Sequence, residues 1–288
     1  MLFIINKMPP KFRIHYNSNE ANASYDTYFT KETLGFRTKN SSYFKSLVSF
    51  INNIVEHVNF KLSDKGIRIL SMDKGHVALV DCFIPNTFFS NYSYKESPLN
   101  QELVLGINTN ILMKILNHLN HDDELIFDYR GDTLNISFIN QKYKKFYSIK
   151  LMDIDSDYLE IVTTDSTTGI NIESKYFHEI INDFNDIGEN VRFIVSKERN
   201  KDDQNVELEC SGDMTGIRMV LSNEDLSLSN LQDISLEFAL KNLILFAKGT
   251  NLNKYINIEI DNNFPLKLSY QIMETGYLNY FLAPRIED

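Results

Sequence analysis

The feature that most constrains the fold is a recurrence in the chain: a helical stretch followed by short alternating strands returns about every 65 residues. Apolar residues at three- and four-residue steps predict helices that start near residues 42, 108, 174 and 237. Apolar residues at alternate positions follow each of these stretches and are typical of half-buried strands. Such a period indicates an internal repeat of helix-plus-sheet units. Pairing the units predicts an α+β protein with two similar domains.

The predicted elements can be bounded from the pattern. The first helix follows Ser41 or Ser42 as its N-cap, because serine side chains accept hydrogen bonds from exposed backbone N–H groups at a helix start. The other helices are expected over 108–120, 174–187 and 237–249, and the clearest strands over 125–129, 134–138, 144–150, 256–260, 266–272 and 278–282. Domain boundaries follow: an N-terminal extension over 1–33, a domain over 34–150, a polar connector over 151–170 and a second domain over 171–288.

Charge and cysteine content exclude some classes of protein. The chain has 29 Lys and Arg against 39 Asp and Glu, so its formal net charge is −10. That value excludes a nucleic-acid binder that is basic throughout, although not one with a local basic face. Two cysteines without Cys-x-x-Cys spacing favour a reducing compartment over a disulfide framework. No apolar run has the length of a membrane span, so we expect no membrane partner.

Motifs that would carry chemistry are absent or incomplete. The sequence has no phosphate-binding glycine loop and no nucleophile signature. Asp153, Asp155 and Asp157 imitate the start of a calcium loop, but Tyr158 and Thr164 occupy the positions that require Gly and Glu. A metal-dependent enzyme remains as a remote alternative, with its candidate residues at His118, His121, Asp122 and Asp123. The sequence therefore predicts a binding protein, neither an enzyme nor a carrier of a cofactor.

Four segments then resemble a known family. They are Gly66–Val80 (GIRILSMDKGHVALV), Tyr147–Asp155 (YSIKLMDID), Glu237–Thr250 (EFALKNLILFAKGT) and Leu278–Asp288 (LNYFLAPRIED). Together they resemble the eukaryotic-type sliding DNA clamp family, proliferating cell nuclear antigen (PCNA). The resemblance spans the chain from Phe36 to its last residue, and its strings are long and occur in the family's order.

The resemblance implies a DNA clamp fold: a homotrimeric ring that closes around duplex DNA, with the four helices of each subunit facing the channel and antiparallel sheets outside. Such a ring tethers DNA polymerase and other replication and repair proteins, is placed on DNA by a clamp loader, and performs no chemistry. The implied location is the nucleus, or a viral replication factory in the cytoplasm if the source is a large DNA virus. A subunit of a checkpoint-type heterotrimeric clamp is the related alternative.

The resemblance also implies a groove for short partner segments, the PCNA-interacting peptides, which insert one aliphatic and two aromatic side chains. Transferred by position, it would be formed by Met72, His76, Val77, Leu159, Ile161, Pro265, Phe281, Leu282, Ala283 and Pro284. Phe281 stands where the family often has Tyr, so one hydroxyl is lost while the apolar character is kept.

Subunit and DNA contacts are implied in the same way. Subunits would meet through edge strands, with Lys144, Tyr147 and Lys150 on one side and Ile217, Met219 and Leu221 on the other. Phosphate contacts would come from Lys45, Lys114, Lys241, Lys248 and Lys175. At several positions where relatives carry a basic side chain (Lys, Arg or, at position 186, His), this chain has a neutral or acidic residue. These are Ser46, Asn52, Asn117, Glu179, Asn182 and Asp186. Lys197 aligns with the lysine that relatives use for ubiquitin attachment.

Overall fold

A computed structural model describes residues 34–94, 103–155, 167–199 and 204–285. In the first half the elements are β1 (Leu34–Thr38), α1 (Ser41–Asn52), β2 (His57–Ser63), β3 (Gly66–Met72), β4 (Ala78–Pro85), β5 (Asn91–Ser93), β6 (Leu103–Asn108), α2 (Thr109–Leu116), β7 (Glu124–Arg130), β8 (Thr133–Ile139) and β9 (Lys144–Lys150). In the second half they are β10 (Thr168–Glu173), α3 (Ser174–Asn185), β11 (Asn190–Val195), β12 (Val206–Ser211), β13 (Gly216–Leu221), β14 (Ser227–Ser229), β15 (Ile234–Ala239), α4 (Leu240–Ala247), β16 (Tyr255–Asp261), β17 (Phe264–Ile272) and β18 (Gly276–Leu282).

Among the described residues, the internal repeat extends to every strand and α-helix, and a 3-10 turn after α4 (Lys248–Asn251) has no counterpart after α2. Each half runs strand, helix, three strands, a 3-10 turn, two strands, helix and three strands, so that β1 to β9 correspond one by one to β10 to β18. The spacing is kept closely: α3 starts 133 residues after α1 (174 − 41), and β11 starts 133 residues after β2 (190 − 57). The α+β class and the two similar halves are confirmed.

The strands of the described segments form three antiparallel sheets. One has the order β5-β1-β7-β8-β9 and another the order β13-β12-β11-β15. The third sheet has nine strands in the order β14-β10-β16-β17-β18-β4-β3-β2-β6. Its first five strands come from the second half and its last four from the first half, so the two halves are joined by the hydrogen-bonded pair β18 and β4. We call this pair the internal seam.

The helices pack across the same junction. Phe50 of α1 meets Phe246 of α4 edge-on at 4.8 Å between ring centroids. The Phe246 ring stacks on Tyr280 at 4.9 Å, and the Tyr43 hydroxyl donates a hydrogen bond of 3.0 Å to the carbonyl of Leu252. Both phenylalanines and Tyr280 are buried. The two halves therefore share one core beneath the internal seam.

Three predicted boundaries were wrong. The second helix ends at Leu116, well before residue 120. The fourth begins at Leu240, because residues 234–239 pair with β11 as strand β15. The first helix has Asn40 as its N-cap residue, with no side-chain capping bond, and Ser41 is buried.

The predicted connector is described only at its two ends. Residues Thr168–Ile170 at its C-terminal end belong to strand β10. Residues 156–166 of the connector and the predicted extension over 1–33 lie outside the described residues. In the part of the chain that is described, no helix is long and apolar enough to cross a membrane.

Candidate functional site

An apolar row crosses the outer face of the internal seam. Met72 on β3 lies opposite Leu79 on β4, and Leu79 lies opposite Phe281 on β18. Their neighbours Ala78 and Val80 are buried in the core, so these three side chains point to the opposite face of the sheet, where they are half-buried. Leu79 is not among the residues that the resemblance assigned to the groove. The sequence does carry a signal for an apolar outer face, because Leu79 is apolar but stands between the two buried positions, Ala78 and Val80.

A fixed turn borders this row. The Asp73 carboxylate accepts hydrogen bonds from the backbone N–H groups of Val77 at 2.9 Å and Ala78 at 2.7 Å. His76, in the same turn, has a positive φ of 53°. The constrained turn presents Val77 with 44% of its surface exposed. The Val77 carbonyl accepts a 3.0 Å hydrogen bond from the backbone N–H of Ala283, and this bond ties the C-terminal segment to the turn.

The remaining predicted groove residues fall in three groups. A cleft of about 770 Å³ is lined by Val77, Leu282, Ala283 and Pro284 together with residues from the end of α3 to β11 and from the start of α4, and the three residues of the row do not line it. Leu282 forms part of its wall from a buried position, and Pro265 is exposed at the start of β17. Leu159 and Ile161 lie outside the described residues.

The connector begins on the same outer face. The backbone N–H of Met152 donates to the carbonyl of Gly106 on β6 at 2.9 Å, and the Asn59 side chain donates to the carbonyl of Ile154 at 3.0 Å. A Cβ at residue 106 would lie 2.1 Å from the Met152 oxygen, so only glycine permits this approach. The chain thus leaves the first half along the face that carries the apolar row.

The predicted subunit strands are the last strands of two different sheets. Strand β9 ends the five-stranded sheet, and β13 ends the four-stranded sheet. On β9, Lys144 and Lys150 are exposed, while Tyr147 is half-buried. On β13, Ile217 and Met219 are half-buried and Leu221 is buried. Both strands have the edge position that pairing with another chain requires.

The predicted DNA-contacting lysines lie on the helices. Lys45 of α1 and Lys248, which follows α4, line one cleft of about 310 Å³ between the two halves. Lys114, Lys175 and Lys241 are exposed. On α3, Lys175 shares the exposed side with the acidic residues Glu179, Asp183 and Asp186. Lys197, the predicted modification site, is exposed just after β11.

Comparison with known proteins decides the family. The family model described as "Proliferating cell nuclear antigen, N-terminal domain" matches residues 33–159, and that described as "Proliferating cell nuclear antigen, C-terminal domain" matches residues 160–285. The chain belongs to the PCNA family. It is a sliding clamp of this family with the DNA clamp fold, and replication and repair are the processes in which the family acts.

Named relatives cover most of the chain. A protein of Chaetomium thermophilum named "Proliferating cell nuclear antigen" is 31% identical over 264 residues, which cover 88% of this chain and 98% of the relative. A protein of the same name from Dictyostelium discoideum is 30% identical over 265 residues, 87% of this chain and 98% of the relative. PCNA-family sequence therefore accounts for nearly all of the described chain.

The residues of the metal alternative do not converge in this PCNA-family chain. The buried Asp123 carboxylate accepts hydrogen bonds from the backbone N–H of Asn120 at 2.9 Å and from the Tyr143 hydroxyl at 3.0 Å. The ring of His118 stacks on Tyr147 at 5.8 Å, while His121 pairs with its exposed neighbour Asp122. Across the four described segments, no group of three His, Cys, Asp or Glu residues could hold a metal ion. Asp123 instead fixes the loops beside β9.

Proposed function

We propose that this chain forms a homotrimeric ring that encircles duplex DNA and tethers a DNA polymerase and other partner proteins without catalysing a reaction. The observation that carries the proposal is the relation between the internal seam and the two free edges. In the repeat, β9 corresponds to β18 and β13 corresponds to β4. The two edge strands are therefore the counterparts of strands that pair with each other inside the chain.

The strand registers make this correspondence specific. Equivalent hairpins of the two halves pair equivalent residues from strand to strand. Followed in this way, the pairing makes Tyr147 the counterpart of Tyr280 and Ile217 the counterpart of Val80. Tyr280 and Val80 lie opposite each other in the internal seam. We infer that Tyr147 of one subunit faces Ile217 of the next in an antiparallel pair. Such head-to-tail contacts close a ring when the rotation is right, and three subunits are what the family resemblance implies.

The partner groove is supported by the same comparison within the chain. The counterparts of Met72, Leu79 and Phe281 in the repeat are Ser211, Gly216 and Ser148. At the counterpart positions on β12, β13 and β9, the outer face therefore carries no such apolar row. Because the row occurs at the internal seam and not at its counterpart positions among the described strands, we assign it to the binding of an apolar partner segment, one per subunit.

DNA contact would come from the lysines on three of the four helices. Lys45 and Lys248 face one cleft, and Lys114 and Lys241 extend the basic positions along α2 and α4. On α3 the acidic side chains outnumber Lys175. We therefore propose that this chain contacts DNA more weakly than its relatives do, and mainly through α1, α2 and α4. Encirclement keeps a ring on DNA without high affinity, so the net charge of −10 is compatible with this function.

Two measurements test the proposal. At low protein concentration, the purified full-length chain should have about three times its 33.5 kDa mass by light scattering. On primed circular DNA with a clamp loader it should increase the processivity of its polymerase, and it should be lost from the DNA when the circle is cut. A strict monomer that still aided the polymerase would overturn the ring. A chain that trimerises only with other subunits would favour the checkpoint-type clamp.

The site of action follows from the proposal. A replicative clamp works where DNA is copied, which is the nucleus for a cellular protein and a replication factory in the cytoplasm for a large DNA virus. Ring assembly and partner binding as proposed use only protein and DNA, so no cofactor enters the scheme. Modification of Lys197 remains a proposal that its exposed position allows.

A further inference from the structure

The apolar row at the internal seam is a surface that another segment could dock on, and the chain itself carries a segment of suitable chemistry. This inference rests on the proposed function, because it uses the groove of Met72, Leu79 and Phe281. The segment lies in the N-terminal 33 residues, outside the described residues. It is residues 22–31, with the sequence NASYDTYFTK.

Three aromatic residues in this segment have the spacing of one helical face. Tyr25, Tyr28 and Phe29 stand at positions i, i+3 and i+4, which lie next to each other on an α-helix. Ser24 stands at the position of an N-cap, and Asp26 would fall in the first turn, where negative charge is favourable. A short helix presenting three rings is the kind of ligand that an apolar groove accepts.

The linker between this segment and the folded body is too short for the segment to reach the groove of its own chain. The five residues from Phe29 to Leu34 span at most about 17 Å. Leu34 begins β1 near the Gly66 end of β3, because Tyr92, opposite Phe36, donates its hydroxyl hydrogen to the Gly66 carbonyl at 2.9 Å.

The groove lies at the other end of β3. The strand from Gly66 to Met72 is about 20 Å long, and the groove is on the sheet face that points away from β1. Docking in the same chain would therefore require a longer linker. The geometry points to docking on a different clamp molecule.

We propose that residues 22–31 of one clamp dock in the apolar groove of another. The tails of one ring would then occupy the grooves of a second ring, and several weak contacts would act together. Because the segment fills the groove that we assign to partners, it competes with partner segments. The result is a clamp whose free rings associate and cover each other's partner grooves, and whose grooves open when a partner segment displaces the tail.

A binding experiment on the full-length chain tests this docking. The clamp carries Tyr28→Ala and Phe29→Ala, so that its own tail does not compete, and the probe is a fluorescein-labelled peptide of residues 20–32. We expect saturable binding by fluorescence anisotropy and at least a tenfold loss of affinity when Phe281→Ala is added. The matched control is Phe83→Ala, another outward aromatic on the same sheet, which should change the affinity less than twofold. Absence of saturable binding, or equal effects of the two variants, would overturn the proposal.

Light scattering over a range of concentrations tests association between rings. The wild-type chain should exceed the mass of the Tyr28→Ala/Phe29→Ala variant as concentration rises, and equal masses would overturn docking between molecules. Polymerase stimulation separates this inference from the proposed function. If the double variant stimulates the polymerase but does not bind the peptide, only the docking of the tail is wrong. If the wild-type chain neither forms a ring nor stimulates the polymerase, the clamp function itself is wrong.

Discussion

Phe281 lies directly opposite Leu79 in the antiparallel pair that joins the two halves of the chain. Each is half-buried on the outer face, while their sequence neighbours Tyr280 and Val80 are buried in the core below. One strand pair thus serves two purposes: its inner face holds the halves together and its outer face offers an apolar surface. Substitutions on the two faces should therefore separate stability from partner binding.

The first prediction compares two adjacent positions of β4. Leu79→Ser should reduce polymerase stimulation at least tenfold, because it removes the centre of the apolar row, and should change the free energy of unfolding by less than about 1 kcal/mol. Val80→Ser should cost about 2–4 kcal/mol, because it opens a cavity and buries a hydroxyl in the core. Urea unfolding and a processivity assay measure the two effects. Equal losses of stability at both positions would contradict the assignment of faces.

The second prediction tests the register of the proposed contact between subunits. Tyr147→Cys combined with Ile217→Cys should give covalent dimers and trimers on mild oxidation, because residues opposite each other in an antiparallel pair come within disulfide range. The native cysteines, Cys82 and Cys210, are buried and should not interfere. Non-reducing gel electrophoresis detects the products.

A matched control makes the register test specific. Tyr147→Cys combined with Met219→Cys, whose side chain is half-buried like that of Ile217, moves one thiol two residues along β13, about 7 Å from the expected partner. This pair should not cross-link. Ladders of equal intensity from both pairs would show that the strands meet in another register.

The third prediction concerns DNA binding. Reversing charge with Lys45→Glu and Lys248→Glu should weaken binding of the chain to linear duplex DNA and lower the salt dependence by roughly one unit of slope for each phosphate that is no longer neutralised. Lys175→Glu is the matched control, since Lys175 already stands among acidic side chains on α3. Fluorescence anisotropy at a series of salt concentrations gives the slopes. An effect of Lys175→Glu as large as that of the double variant would contradict contact concentrated on the other helices.

The repeat could be predicted from the sequence because the apolar residues of its helices and strands recur at regular steps. Helices with continuous apolar faces, such as those around Phe44 and Phe177, appear directly as three- and four-residue steps. Strand β9 was bounded correctly at Lys144–Lys150. The start of α4 was misplaced because a strand, β15, runs directly into it, and the apolar Phe238 fits both periods.

The paired surfaces could not be read from periodicity. The internal seam joins residues about 200 positions apart, Leu79 and Phe281, and no local pattern reports that pairing. The resemblance supplied Phe281 and Met72 but not Leu79, which lies between them. The register proposed for β9 against β13 of another subunit likewise follows only from the pairing of β4 with β18.

The last prediction concerns alkaline pH. Burial raises the pKa of Tyr43 from its ordinary value of 10.0 to about 12, and burial also raises the pKa values of Tyr92, Tyr270 and Tyr280. An unfolded chain binds these protons less tightly than the folded chain, so the contribution to stability is complete below pH 10 and is lost as the pH rises from 10 towards 12. Stability should therefore fall over this range.

Absorbance near 295 nm checks this prediction, since the chain contains no tryptophan and phenolate dominates the signal. The buried tyrosines should ionise in the same step in which circular dichroism reports unfolding, after the exposed tyrosines have titrated. Tyr43→Phe should lower the pH dependence of stability between pH 10 and 12, because phenylalanine has no proton to lose. It should also lower stability at pH 8 by about 1 kcal/mol, since the hydrogen bond to the Leu252 carbonyl is removed. Ionisation of all tyrosines near pH 10 in a chain that remains folded would contradict the burial of Tyr270 and Tyr280 and the partial burial of Tyr43 and Tyr92.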